Sequence, residues 1–188
     1  MKAAGLILVG MLAAGSVIAT STEEKGMVEQ ARSLAKQFGG QLKAEVAAGM
    51  KSGGPVATID VCSVKAPMIA ASVGTESGWD VGRTSLKLRN PNNVPDDWER
   101  NVLIEFERRK AAGEAVATME FAETVNGANG PAFRYMKAIG TEQVCLNCHA
   151  AEIKPDVEEK LMQLYPQDAA RGFAVGDIRG AFTFSKPL

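Results

Sequence analysis

Residues 144–150 read VCLNCHA. Two cysteines stand two residues apart, and the chain's single histidine follows the second directly. A C-x-x-C-H run is the sequence of covalent c-type haem attachment. The spacing has a physical reason. On a helical turn the two thiols reach one edge of a porphyrin, where they add to its two vinyl groups, and the adjacent imidazole comes under the iron. Cys145 and Cys148 are therefore the candidate thioethers of one covalent haem c, and His149 the candidate proximal ligand. The chain must then fold around a large flat apolar group.

Two other readings of the motif are weaker. A structural zinc site takes four Cys or His ligands, and the chain holds three cysteines and one histidine in all, two of them adjacent. A thioredoxin-like dithiol gains nothing from a following histidine.

With one histidine, bis-histidine ligation within the chain is excluded. The second axial position is left to Cys62, a methionine, a lysine, water or nothing. Cys62 is the odd cysteine, since the other two are taken by the motif; it reads as a ligand, a buried inert thiol or half of an intermolecular disulfide. Met27, Met50, Met68, Met119, Met136 and Met162 read first as core filler. Met162 is the rival ligand, 13 residues after His149 on a predicted helix. Only 39 residues follow His149, which argues against the common small cytochrome with an early motif and a late methionine.

The N-terminus, MKAAGLILVGMLAAGSVIAT, carries one lysine and no further charge until Glu23. It reads as a secretory signal over residues 1–19, with residues 20–188 as one domain. An uncleaved segment would instead anchor the chain to a membrane. Export implies a periplasmic or similar oxidising compartment. A formal net charge of −1, or −2 once Lys2 is removed, gives no basic footprint for nucleic acid.

Met27, Ala31, Leu34, Phe38, Leu42 and Val46 fall at steps of three and four and predict a long amphipathic helix. Ser21 to Glu24 reads as its capping box, Gly39-Gly40 as a kink and Ser52 to Pro55 as its end. A second helix is expected over Val56 to Ala71, disturbed at Pro67. The next stretch reads as loop, with a short strand near Thr84 to Leu88. A helix starts at Pro95 and stops at Gly113. A hairpin turns at Asn126 to Gly130, a short helix spans Pro155 to Tyr165, and the C-terminus returns to strand, with Ile178, Phe182 and Phe184 on one side. Helices followed by antiparallel strands predict an α+β fold with a small sheet.

Arg83, Lys87 and Arg89 form a basic cluster that suits haem propionates, with Arg134 and Tyr135 as weaker candidates. Trp79 and Trp98 read as packing residues. Glu105 to Lys110 read as the wet face of a helix.

Four stretches carry a family resemblance: VCSVKAP at 61–67, VGRTSLKLRNPNNVPDDWE at 81–99, VCLNCH at 144–149 and GDIRGAF at 176–182. Together they resemble the single-haem, PAS-like c-type haem domain, once a domain of unknown function, which occurs as free cytochromes and as sensor regions of signalling proteins. The resemblance implies a PAS-like antiparallel sheet flanked by helices, with iron held by His149 and Cys62. A thiolate opposite the imidazole favours Fe(III), so a low reduction potential is expected. The implied function is low-potential electron transfer with a redox partner protein, without enzymatic turnover. A redox or diatomic-gas sensor acting through a separate partner is the alternative.

Overall fold

A computed structural model describes residues 16–188 of the chain. The expected leader over residues 1–19 lies, except for its last few residues, outside them. The first helix, α1, spans Ser16–Asp60 and so starts ahead of the box at Ser21 that was expected to open it. The predicted stripe supplies most of its buried face: Ala31, Phe38 and Leu42 are buried and Met27, Leu34 and Val46 half-buried, with Ala35, outside the stripe, buried as well.

No kink occurs at Gly39-Gly40; instead a Cβ on Gly39 would stand 3.2 Å from the ring of Phe182, so the bare backbone there lets helix and strand approach. The break comes at Gly54, whose φ of 69° and ψ of −160° interrupt the helical backbone. Only glycine adopts that conformation without steric cost, and Pro55 then opens the next helical stretch. Thr58 Oγ1 donates to the Gly54 carbonyl at 2.8 Å.

That second stretch passes through a π-turn at Val61–Lys65 before continuing as α2, Ala66–Ser77. The expected disturbance at Pro67 is this turn. Proline offers no N–H to the carbonyl four residues back, and its ring crowds that carbonyl. The Ala66 N–H bonds to Val61 O, one residue further back than in an α-helix.

Helix α2 runs past the expected end at Ala71, and the first strand, β1, is Asp80–Thr84, ahead of the stretch Thr84 to Leu88 where a strand was predicted. Burial decides this. Trp79 anchors the start of the strand edge-on against Phe133 with ring centroids 6.0 Å apart, whereas Leu86 and Lys87 are exposed.

Helix α3, Asp97–Ala111, is opened by a capping box between Asp96 and Glu99. Strands β2, Glu120–Gly127, and β3, Gly130–Gly140, form the predicted hairpin. Short helices α4, Leu146–His149, and α5, Pro155–Leu164, precede β4, Ile178–Pro187. The four strands make one antiparallel sheet in the order β1-β4-β3-β2.

Helices cover both faces. On one, Phe133, Tyr135 and Phe184 pack with Ala31 and Ala35 of α1. On the other, Met136, Ala138 and Ala181 pack with Val102, Leu103 and Phe106 of α3. The fold is α+β, with a long N-terminal helix and a small antiparallel sheet flanked by helices.

One strand face differs from expectation. Ile178 belongs to the α3 cluster, whereas Phe182 and Phe184 pack toward α1. The register explains it: Ile139 pairs with Gly180 and Gly140 with Ile178, so Arg179 is an extra residue and the alternation reverses across it.

Candidate cofactor-binding site

The motif is built on two short turns. A 3₁₀ turn, Gln143–Cys145, leads directly into α4, so Cys145 and Cys148 sit three residues apart on a helical path and share a side. The Asn147 side chain donates to Val144 O at 2.9 Å, and Glu142, just before the turn, pairs with Lys43 of α1. All three cysteines are free thiols.

His149 has a defined tautomer. Its Nδ1 lies 2.8 Å from the carbonyl oxygen of Ala170. A carbonyl can only accept, so Nδ1 carries the proton and Nε2 keeps its lone pair, as in a metal-binding imidazole. Arg179 Nε donates to Nε2 at 3.3 Å. Burial, with the positive charges of Arg179 and Arg89 added, pushes the imidazole pKa down to about 2, so the ring is neutral at ordinary pH.

Cys145, Cys148 and His149 line one cavity of about 780 Å³, within the usual range for cofactor pockets. Its walls include Leu42, Val46 and Met50 of α1, Val116, Ile139 and Phe182. Cys62, on the π-turn, lines it too. A side chamber of about 130 Å³ is also bordered by Cys62, His149, Arg83, Arg89 and Arg179. Among the described residues no cluster of three or more His, Cys, Asp or Glu is arranged to hold a metal ion unaided, so the zinc reading lacks its ligand set.

The basic cluster divides. Arg83 is half-buried on the cavity wall, with no hydrogen bond or ion pair among the described residues; burial lowers its pKa, with Cys62 acting against that. Lys87 is not on the wall: its ammonium donates to Arg171 O at 3.2 Å and lies over the ring of Phe173. Arg89 borders the cavity, but its guanidinium is committed to Asp168, at 3.0 Å, and to Cys148 O, at 2.5 Å.

Arg134 and Tyr135 lie elsewhere, paired with Asp96 and Glu99 and with Glu120. Trp79 and Trp98 pack, the latter beneath Arg134 and beside Phe121. The rival ligand Met162 is exposed and away from the cavity.

Two residues on the wall escaped the sequence reading. Arg179 is aimed there by the bulge in β4, and its other polar contacts are the neutral acceptors Ser85 Oγ, at 3.1 Å, and Lys87 O, at 3.4 Å. It lies inside the stretch GDIRGAF, as the sole charge among Ile178, Gly180, Ala181 and Phe182. That isolated charge was the available signal. Thr141 carried none; it is buried, and its Oγ1 has no hydrogen-bond partner.

These features fit a haem. The cavity offers two thiols at the attachment spacing, a neutral imidazole whose unprotonated Nε2 accepts only from Arg179, and a sulfur on a separate element. Among the described residues, the Arg83 cation and the Thr141 hydroxyl on its wall also lack partners of their own. Buried polar groups left unpaired are costly, and a ligand with carboxylates would meet both needs.

Residues 10–187 match the Tll0287-like family. Among solved structures, the crystal structure of the cyanobacterial heme-protein Tll0287 superposes with a TM-score of 0.62 at 26% sequence identity, covering 88% of this chain and 96% of that one. No curated protein matches.

Proposed function

The chain belongs to the Tll0287-like family, and from that premise we propose that it is an exported single-haem c-type cytochrome that passes electrons to and from a redox partner protein. One observation carries the reading: Cys145, Cys148, His149 and Cys62 all line a single cavity. The kinship with a cyanobacterial heme-protein supports it, and the sheet order β1-β4-β3-β2, with helices on both faces, supports a PAS-like description.

When bound, haem would supply a one-electron iron couple. The chain's own residues do the rest. Cys145 and Cys148 would hold the group through thioethers. His149 would offer Nε2 to the iron while Ala170 holds its other nitrogen. Cys62 is the second residue proposed to hold the iron, and its thiolate would favour Fe(III) and a low potential. Arg83 and Arg179 are the proposed partners of the haem carboxylates, with Thr141 as a further donor. The apolar walls would exclude water.

No turnover is proposed, because the chain's one histidine is committed to iron and leaves no second imidazole for acid–base work. A periplasmic or otherwise exported location follows from reading residues 1–19 as a signal, and a membrane anchor would result if that segment were retained.

Two measurements test the reading. Haem staining after denaturing electrophoresis should show covalent attachment, lost in the C145A/C148A double variant. Magnetic circular dichroism of the ferric protein should show a six-coordinate, low-spin centre with thiolate ligation. A chain that matures without haem would end the reading.

A second reading, a redox or diatomic-gas sensor, draws on the π-turn that carries Cys62, since such turns recur at functional sites. Cys62 on that turn would be the residue with which a diatomic ligand competes. A reduced protein whose spectrum carbon monoxide leaves unchanged counts against it.

A further inference from the structure

Arg89 and Asp168 form a bidentate ion pair, with Nε 3.2 Å from Oδ1 and Nη2 3.0 Å from Oδ2. Their side chains are 6% and 3% exposed. Withdrawing two charges from water costs several kcal/mol per ion, and such a pair is by itself a weak source of stability. Its contacts give it a purpose.

Nη2 of Arg89 also donates to Cys148 O, inside the haem motif, at 2.5 Å, and approaches Ala170 O at 3.5 Å. Asp168 Oδ1 accepts the N–H of Ala170 at 2.9 Å. Ala170 O is the acceptor that holds Nδ1 of His149 at 2.8 Å. The neighbouring Ala169 N–H bonds to Leu88 O at 2.7 Å, which fixes this loop to the segment bearing Arg89. An anion therefore grips the N–H of residue 170, a cation stands near its carbonyl, and that carbonyl carries the imidazole.

We propose that Arg89 and Asp168 are positioning residues for His149, and that their opposed charges set the redox balance of the iron it holds. The proposal rests on the haem reading above. The hydrogen bond at the outer nitrogen of a ligating imidazole governs how strongly the other nitrogen donates. The Asp168 carboxylate adds negative charge beside the imidazole and orients the peptide that binds it, which favours Fe(III). The Arg89 guanidinium draws on the same carbonyl and adds positive charge, which favours Fe(II). Removing either charge must move the midpoint potential, and the two removals must move it in opposite directions. A pair that merely supported the loop would, when broken from either side, loosen the same contacts and shift the potential the same way.

The test uses the full-length, haem-loaded protein. Haem content is read first, as the reduced pyridine complex. Potentiometry should then show Asp168→Asn raised and Arg89→Gln lowered relative to the unaltered protein, with Arg89→Lys restoring the direction but not the full value. His149 is the sole histidine, so ¹⁵N-histidine labelling yields one Nδ1–H resonance. In the reduced protein it should move upfield in Asp168→Asn and downfield in Arg89→Gln.

Arg171 also donates to Asp168 Oδ2, at 2.9 Å, from a more exposed position. Arg171→Gln tests the same relay without emptying the buried pair, and should lower the potential by a smaller amount. Potentials that shift in the same direction in the two buried variants overturn the proposal. So does an unmoved Nδ1–H resonance, or, where those variants do not fold, an Arg171→Gln protein identical to the unaltered one. An unaltered chain without haem would instead overturn the haem reading, and this proposal with it.

Discussion

Cys62, on the π-turn after α1, and His149, at the end of α4, border both the main cavity and the side chamber. Elements from opposite halves of the chain thus bring a sulfur and a nitrogen to one space. Cys62→Ser should keep covalent haem but lose the thiolate signature in magnetic circular dichroism. Its midpoint potential should rise by an amount on the order of 100 mV, and its reduced form should bind carbon monoxide. Retention of the signature would remove Cys62 from the iron.

Gly180 tests how tightly the bulge is built. A Cβ at this position would stand 2.3 Å from the carbonyl oxygen of Thr84 on the neighbouring strand. Gly180→Ala must push β4 away from β1 and disturb Arg179 beside it. A stability loss well above about 1 kcal/mol is expected, measured by urea titration.

Phe106 is fully buried between α3 and the sheet. Phe106→Ala should cost about 3–5 kcal/mol, the range for an emptied aromatic site. The same titration should register it as a lower midpoint with unchanged slope.

Glu120 accepts from Arg32 of α1 and from the hydroxyl of Tyr135, 2.8 Å away. The Arg32 bonds hold its carboxyl below the usual carboxylate range, against the effect of burial. A carboxyl depressed on folding adds stability above its unfolded pKa, and that contribution is lost as pH falls through the folded value. The unaltered protein should therefore lose stability as the pH drops through and below about 4.3. Glu120→Gln should show a flatter profile over that window. Parallel acid profiles for the two proteins would show that the carboxyl contributes nothing there.

Much of this fold was legible where local chemistry governs it. The stripe from Met27 to Val46, the helix announced by Pro95 and the hairpin around Gly127 and Gly130 follow from periodicity, proline placement and turn residues; the Asp96 cap that opens that helix was not read. The motif at 145–149 was equally plain, because its spacing is itself the chemistry. The strand at Asp80–Thr84 was displaced in the sequence reading because its hold comes from Trp79 meeting Phe133, a contact across 54 residues that no local pattern announces. Arg179 escaped for a related reason. Its direction depends on one unpaired residue in a ladder, and that is a property of two strands together. Lys87 and Arg89 looked like equals of Arg83 until their partners Arg171 and Asp168, some 80 positions later, came into view.

The sheet places β1 beside β4, its first strand beside its last. A ribosome delivers Cys62 and β1 well before the segment that completes their surroundings. Until β4 emerges, β1 lacks the strand it pairs with and Arg179 has no bulge to aim it. The pocket is thus closed only when β4 joins the sheet, and a nascent chain stalled short of Ile178 would carry every thiol and the imidazole yet lack the enclosure that gives them a common purpose.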